Sequence, residues 1–78
     1  MGGKIGVRQR EIMRHLGDKE WDGKYTQKDI SLDLGMPIST AYKSLLTLWD
    51  RGLVVKVDGE YKLTKLGQKW LREDTNNA

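Results

Sequence analysis

Residues 37–54 read PISTAYKSLLTLWDRGLV, and the front of this stretch gathers two hydroxyls, a phenol and an ammonium at Ser39, Thr40, Tyr42 and Lys43, with Thr47 one turn on. Such groups donate and accept hydrogen bonds, and a lysine neutralises an anion. None becomes a nucleophile without a base or a metal to activate it. The rest of the sequence offers no activating partner. It has no cysteine, its one histidine, His15, stands alone, and the carboxylates of DKEWD (18–22) adjoin no nucleophile. No catalytic, cofactor or metal site is therefore expected. A formal net charge of +3 is a mild basic excess that favours a polyanionic partner such as nucleic acid. The chemistry on offer is recognition.

At 78 residues the chain has room for one core. MGGKIG reads as a flexible leader (1–6) and REDTNNA as a polar end, giving a domain over 7–72 and a tail over 73–78. The lack of cysteine suits a reducing compartment, and neither a signal peptide nor a membrane-length apolar run is visible, so a cytoplasmic location is expected. VRQREIMRHL, with Ile12 and Leu16 four apart and Met13 beside them, predicts an amphipathic helix stopped by Gly17. Thr26 and Asp29 have the spacing of a capping box for a second helix, Tyr25 and Ile30 that of a hydrophobic staple, and Gly35 ends it. Pro37 opens a third helix whose Ala41, Leu45 and Leu48 form the inward stripe, and Gly52 closes it. LVVKV and EYKLT around Asp58-Gly59 predict a hairpin, with Val54, Val57, Tyr61 and Leu63 on its core side. Thr64 caps a last helix that carries Leu66, Trp70 and Leu71. Trp21 and Trp70 are expected to fill core or interface, and His15 to sit at the surface or core edge.

Helix, short glycine turn, helix is the pattern of a helix-turn-helix. Here QKDISLDLGMPISTAYKSL resembles the helix-turn-helix of DNA-binding regulators. Gln27 opens it, Ile30 and Leu34 face the core, Ser31 holds the small position where the helices cross, Gly35 makes the turn, and Ala41 and Leu45 anchor the following helix. The resemblance runs on through Leu45, Leu48, Gly52, Leu53, Val54, Tyr61, Leu63, Thr64, Gly67 and Leu71, as in bacterial and archaeal winged-helix transcription regulators. The fold class it implies is α+β, mainly α: a winged helix-turn-helix with a three-helix core, a two-stranded β-hairpin wing and a C-terminal helix.

That resemblance implies a sequence-specific double-stranded DNA-binding protein, a transcription regulator reading the major groove with the helix that starts near Pro37. A recognition helix reaches bases and phosphates with its early residues. Ser39, Thr40, Tyr42, Lys43 and Thr47 are accordingly the expected DNA contacts, joined by Thr26, Gln27 and Lys28 at the start of the second helix. Lys56 and Lys62 are expected to reach phosphates from the hairpin. The tip itself, Asp58-Gly59-Glu60, is acidic and departs from the family's usual cation. Ile38 is apolar where the family is usually polar. It either packs on Trp49 or touches a thymine methyl, with packing the preferred reading. Leu66, Trp70 and Leu71 are expected to form a homodimer interface, and no small-molecule ligand is evident. The alternatives are a winged-helix protein–protein interaction module and a replication accessory factor.

Overall fold

The structure, a computed structural model, describes residues 5–76. Residues 1–4 of the expected leader and 77–78 of the expected tail lie outside it. The order is α1 (Val7–Leu16), α2 (Gln27–Leu34), α3 (Ile38–Asp50), β1 (Val54–Val57), β2 (Glu60–Leu63) and α4 (Lys65–Asn76). Helices α1 and α2 pack on α3, and β1 and β2 form one antiparallel pair beside them. Ile12, Met13, Ile30, Ala41, Leu45 and Leu48 are all fully buried at the centre. Met36 and Leu53 complete this core from the turns.

Both turns close in the same way. The Gly35 N–H donates to the Leu32 carbonyl and the Met36 N–H to the Ser31 carbonyl; Gly52 and Leu53 repeat the pattern on Trp49 and Leu48. These are Schellman ends, which need a left-handed residue after the helix and bury the apolar residue that follows. Gly35 and Gly52 supply it, at φ of 64° and 74°. The Ser31 hydroxyl donates to the Met36 carbonyl at 2.7 Å. The small residue at the helix crossing thus also fastens the turn that sets the angle between α2 and α3.

Asp58 and Gly59, at φ of 53° and 83°, form the two-residue primed turn that matches strand twist. The register pairs Val54 with Leu63 and Lys56 with Tyr61. This corrects the expectation for Val57. Side chains alternate along a strand, so residues three apart cannot share a face. Val54 is 1% exposed and Val57 42%. Lys56 takes the place next to the core on that face, with its Nζ 5.6 Å from the centre of the Tyr61 ring.

Helix α4 starts at the Thr64 cap. The Thr64 hydroxyl accepts from the Gly67 N–H at 3.0 Å and donates to the Gly52 carbonyl at 2.6 Å. Gly67 lies against the backbone just before β1, and a Cβ there would stand 2.1 Å from the Leu53 carbonyl oxygen. The helix continues to Asn76, past the boundary expected at residue 72. Asp74 meets Arg10 at 3.5 Å and Arg14 at 3.3 Å, tying its last turns to α1. At the other end Ile5, placed in the leader by composition, is buried in the core.

Candidate nucleic-acid interface

With Ala41, Ser44, Leu45 and Leu48 turned inward, α3 presents its other side to solvent. Ser39, Tyr42, Lys43 and Thr47 are exposed there, and Thr40 is half-buried. Among the described residues the side chains of Ser39, Thr40, Tyr42 and Lys43 make no hydrogen bond or ion pair within the chain. Pro37 occupies the cap position with no side-chain bond to the helix start, so the hydroxyls of Ser39 and Thr40 are not used as caps. Thr47 differs: its hydroxyl donates back to the Lys43 carbonyl at 3.1 Å.

At the start of α2 the three expected contacts separate by role. The Thr26 hydroxyl accepts from the Asp29 N–H at 3.1 Å and donates to the Asp29 carboxylate at 2.8 Å. The cap forms, but Asp29 meets the hydroxyl where the longer Glu or Gln of a capping box reaches the backbone N–H. Thr26 is thus occupied in holding the helix start. Lys28 is exposed and Gln27 half-buried, beside free backbone N–H groups whose dipole end favours an anion.

The hairpin divides its two lysines. Lys56 lies on the face of Tyr61, whose ring meets Trp49 of α3 edge-on with centroids 6.3 Å apart. Lys56 therefore stands on the α3 side. Lys62 pairs with Val55, on the other face of the pair from Tyr61, and it is one of the residues along a groove between α1, β2 and α4 that Lys19, Arg72, Leu16 and Leu71 also line. The structure does not bring Lys62 to the α3 face, because alternation along β2 sends it the other way. Glu60 also departs from a solvent-facing tip. Its carboxylate accepts from the Tyr25 N–H at 3.2 Å, leaving Asp58 as the exposed carboxylate of the turn.

Burial raises the Tyr61 phenol above its usual 10.0, and the nearby Tyr42 adds to the shift. Tyr42 itself is exposed, so it is no core aromatic. Ile38 does not pack on Trp49: eleven residues of helix separate them by about 16 Å along the axis. His15 lies against Trp21 and Tyr25, with ring centroids 5.0 and 5.2 Å away, and its Nε2 is 3.1 Å from an Asp33 carboxylate oxygen. That contact joins α1 to α2, and no local pattern in the sequence signals it. Of the expected dimer residues, Trp70 and Leu71 pack partly against the core while Leu66 is 54% exposed.

A tri-helical core, a Schellman turn between α2 and α3, a hairpin and a closing helix together define a winged helix-turn-helix. The model of the IclR helix-turn-helix domain matches residues 8–58, well over half of the chain. The chain belongs to that family and is a DNA-binding domain of transcription-regulator type. Two solved structures share the fold. One is a mutant of MepR from a multidrug resistant S. aureus clinical isolate, with a TM-score of 0.82 and 25% identity over 92% of this chain and 56% of that one. The other is a MarR-family transcriptional regulator from Rhodococcus sp. RHA1, with a TM-score of 0.71 and 24% identity over 91% of this chain and 53% of that one. The chain thus spans about half the length of each. No curated protein matches it. Among the described residues no helix is long and apolar enough to cross a membrane.

Proposed function

We propose that the protein binds double-stranded DNA sequence-specifically by laying the front of α3 in the major groove. The observation that carries this reading is the open side of α3. Ser39, Thr40, Tyr42 and Lys43 have hydrogen-bonding capacity that the chain itself leaves unused among the described residues. Lys43 pairs with guanine O6 and N7 or with a phosphate, and the hydroxyls suit bases or phosphate oxygens. Lys28 and the start of α2 hold a phosphate on one side, and Lys56 holds one on the other. Thr26 and Thr47 support these contacts by holding the helix start and the helix backbone. The protein acts as a cytoplasmic transcription regulator without catalysis, as a homodimer whose two α3 helices read two half-sites.

The test is a fluorescence-anisotropy titration of wild type and Lys43→Ala against random and selected duplexes at two salt concentrations. Binding that weakens steeply with salt, and a selected sequence that wild type prefers, are the expected results. Failure of wild type to bind any duplex at low salt would reject the reading. A winged helix that binds only protein would give that outcome.

A further inference from the structure

The open side of α3 has a polar track and an apolar one. At about 100° per residue, Ser39, Lys43 and Thr47 follow one line, while Ile38, Tyr42 and Leu46 climb a neighbouring line that Trp49 joins. These four are 50%, 45%, 40% and 43% exposed. Single exposed apolar side chains are ordinary; four on one stripe of a helix mark a contact surface. The wing accounts for the rear of the stripe, where Trp49 meets Tyr61. It does not account for Ile38, three turns away at the first position of the helix. Ile38 can offer a partner only apolar contact.

On the reading that α3 faces DNA, the front of the stripe meets base edges. The one apolar group on those edges in the major groove is the 5-methyl of thymine. We infer that Ile38, with the ring of Tyr42 beside it, reads thymine methyl groups and so selects thymine at defined positions of the target. The two residues are four apart, a rise of about 6 Å. Base steps are about 3.4 Å apart along a strand, so the methyls they meet lie one or two steps from each other. Ser39 and Lys43, on the adjoining track, supply the polar contacts to neighbouring bases or phosphates.

The experiment starts from a duplex selected by the wild-type protein and replaces its thymines one at a time with deoxyuridine. This removes the methyl and keeps the pairing. Wild type is expected to lose about four-fold in affinity for each methyl it covers. Ile38→Ala is expected to bind the thymine duplex with a similar loss and no longer to distinguish thymine from uracil at that position. Ile38→Val, which keeps a branched apolar side chain, is expected to retain the discrimination. Thermal melts of both variants confirm the fold, and Ile38 is exposed enough for both to tolerate the change. Equal wild-type binding to every uridine duplex would overturn the inference while leaving DNA binding by α3 intact. Discrimination that persists undiminished in Ile38→Ala would overturn it too, since the methyl would then act through duplex shape. If no duplex can be selected at all, the DNA-facing reading of α3 fails, and this inference with it.

Discussion

Lys43 and Ser44 are neighbours in sequence with opposite fates, one exposed and one only 7% exposed on the inward side of α3. That contrast fixes the helix phase on which the proposed contacts depend. Lys43→Ala is expected to weaken duplex binding by about 1–3 kcal/mol and relax preference at one position if it reads a base. If it meets only phosphate, the loss is uniform across sequences and the salt slope falls by about one. Anisotropy titrations distinguish the two, and unchanged binding on every duplex would remove Lys43 from the interface. A second residue-scale expectation concerns Tyr61. Its folded pKa is raised above 10.0 by burial and by Tyr42, so the folded state holds the phenolic proton more tightly than the unfolded chain. The resulting stability is fully present below pH 10 and is lost as pH rises through the folded pKa. Tyr61→Phe should flatten the alkaline part of a stability–pH curve measured by urea melts; an unchanged slope would assign it to other groups. Thr26, Gly35 and Ala41 are legible from local rules, because caps, helix ends and buried stripes depend on neighbours within a turn. Glu60 and His15 are not. Their partners, Tyr25 and Asp33, lie 35 and 18 residues away, and no spacing rule connects them.

Among the elements, α4 has the strictest seating. A methyl at Gly67 would stand 2.1 Å from the Leu53 carbonyl oxygen, a backbone atom already accepting from the Thr64 N–H at 3.0 Å. Neither partner can turn away as a side chain would, so Gly67→Ala is expected to cost about 3 kcal/mol or more through overpacking. A thermal melt equal to wild type would show that α4 can tilt. Ala41→Glu tests the packing of α3 on α2. It would place an unpartnered charge at a fully buried position, and a circular-dichroism melt should show the domain unfolded. Each described element is readable as a periodic stretch between glycines and caps. The extension of α4 to Asn76 is not, because REDTN is polar by composition. What holds it is Arg10 and Arg14 of α1 against Asp74. The hairpin is likewise readable as an element, but the face assigned to Val57 required strict alternation from Val54.

For the whole molecule, the exposed Leu66 on α4 and the half-buried Trp70 and Leu71 leave the homodimer as the assembly to test. Sedimentation equilibrium at tens of micromolar is expected to give a dimer mass for wild type and a shift toward monomer for Trp70→Ala. A monomer mass independent of concentration for wild type would exclude assembly through α4.

The wing is joined to the rest of the molecule at a point the hairpin ladder does not use. Tyr61 turns its N–H away from β1 and donates to the Tyr25 carbonyl at 3.0 Å, while Glu60 accepts from the Tyr25 N–H. One residue ahead of α2 therefore holds both edges of a clasp on β2. Deuterium uptake at the Tyr61 amide consequently reports the release of the wing from the helix-turn-helix and not the fraying of the hairpin, whose ladder amides exchange separately. A wing swinging free would expose Tyr61 to exchange while the β1–β2 pairing stayed protected. The two motions of this small domain can be timed independently from single amides.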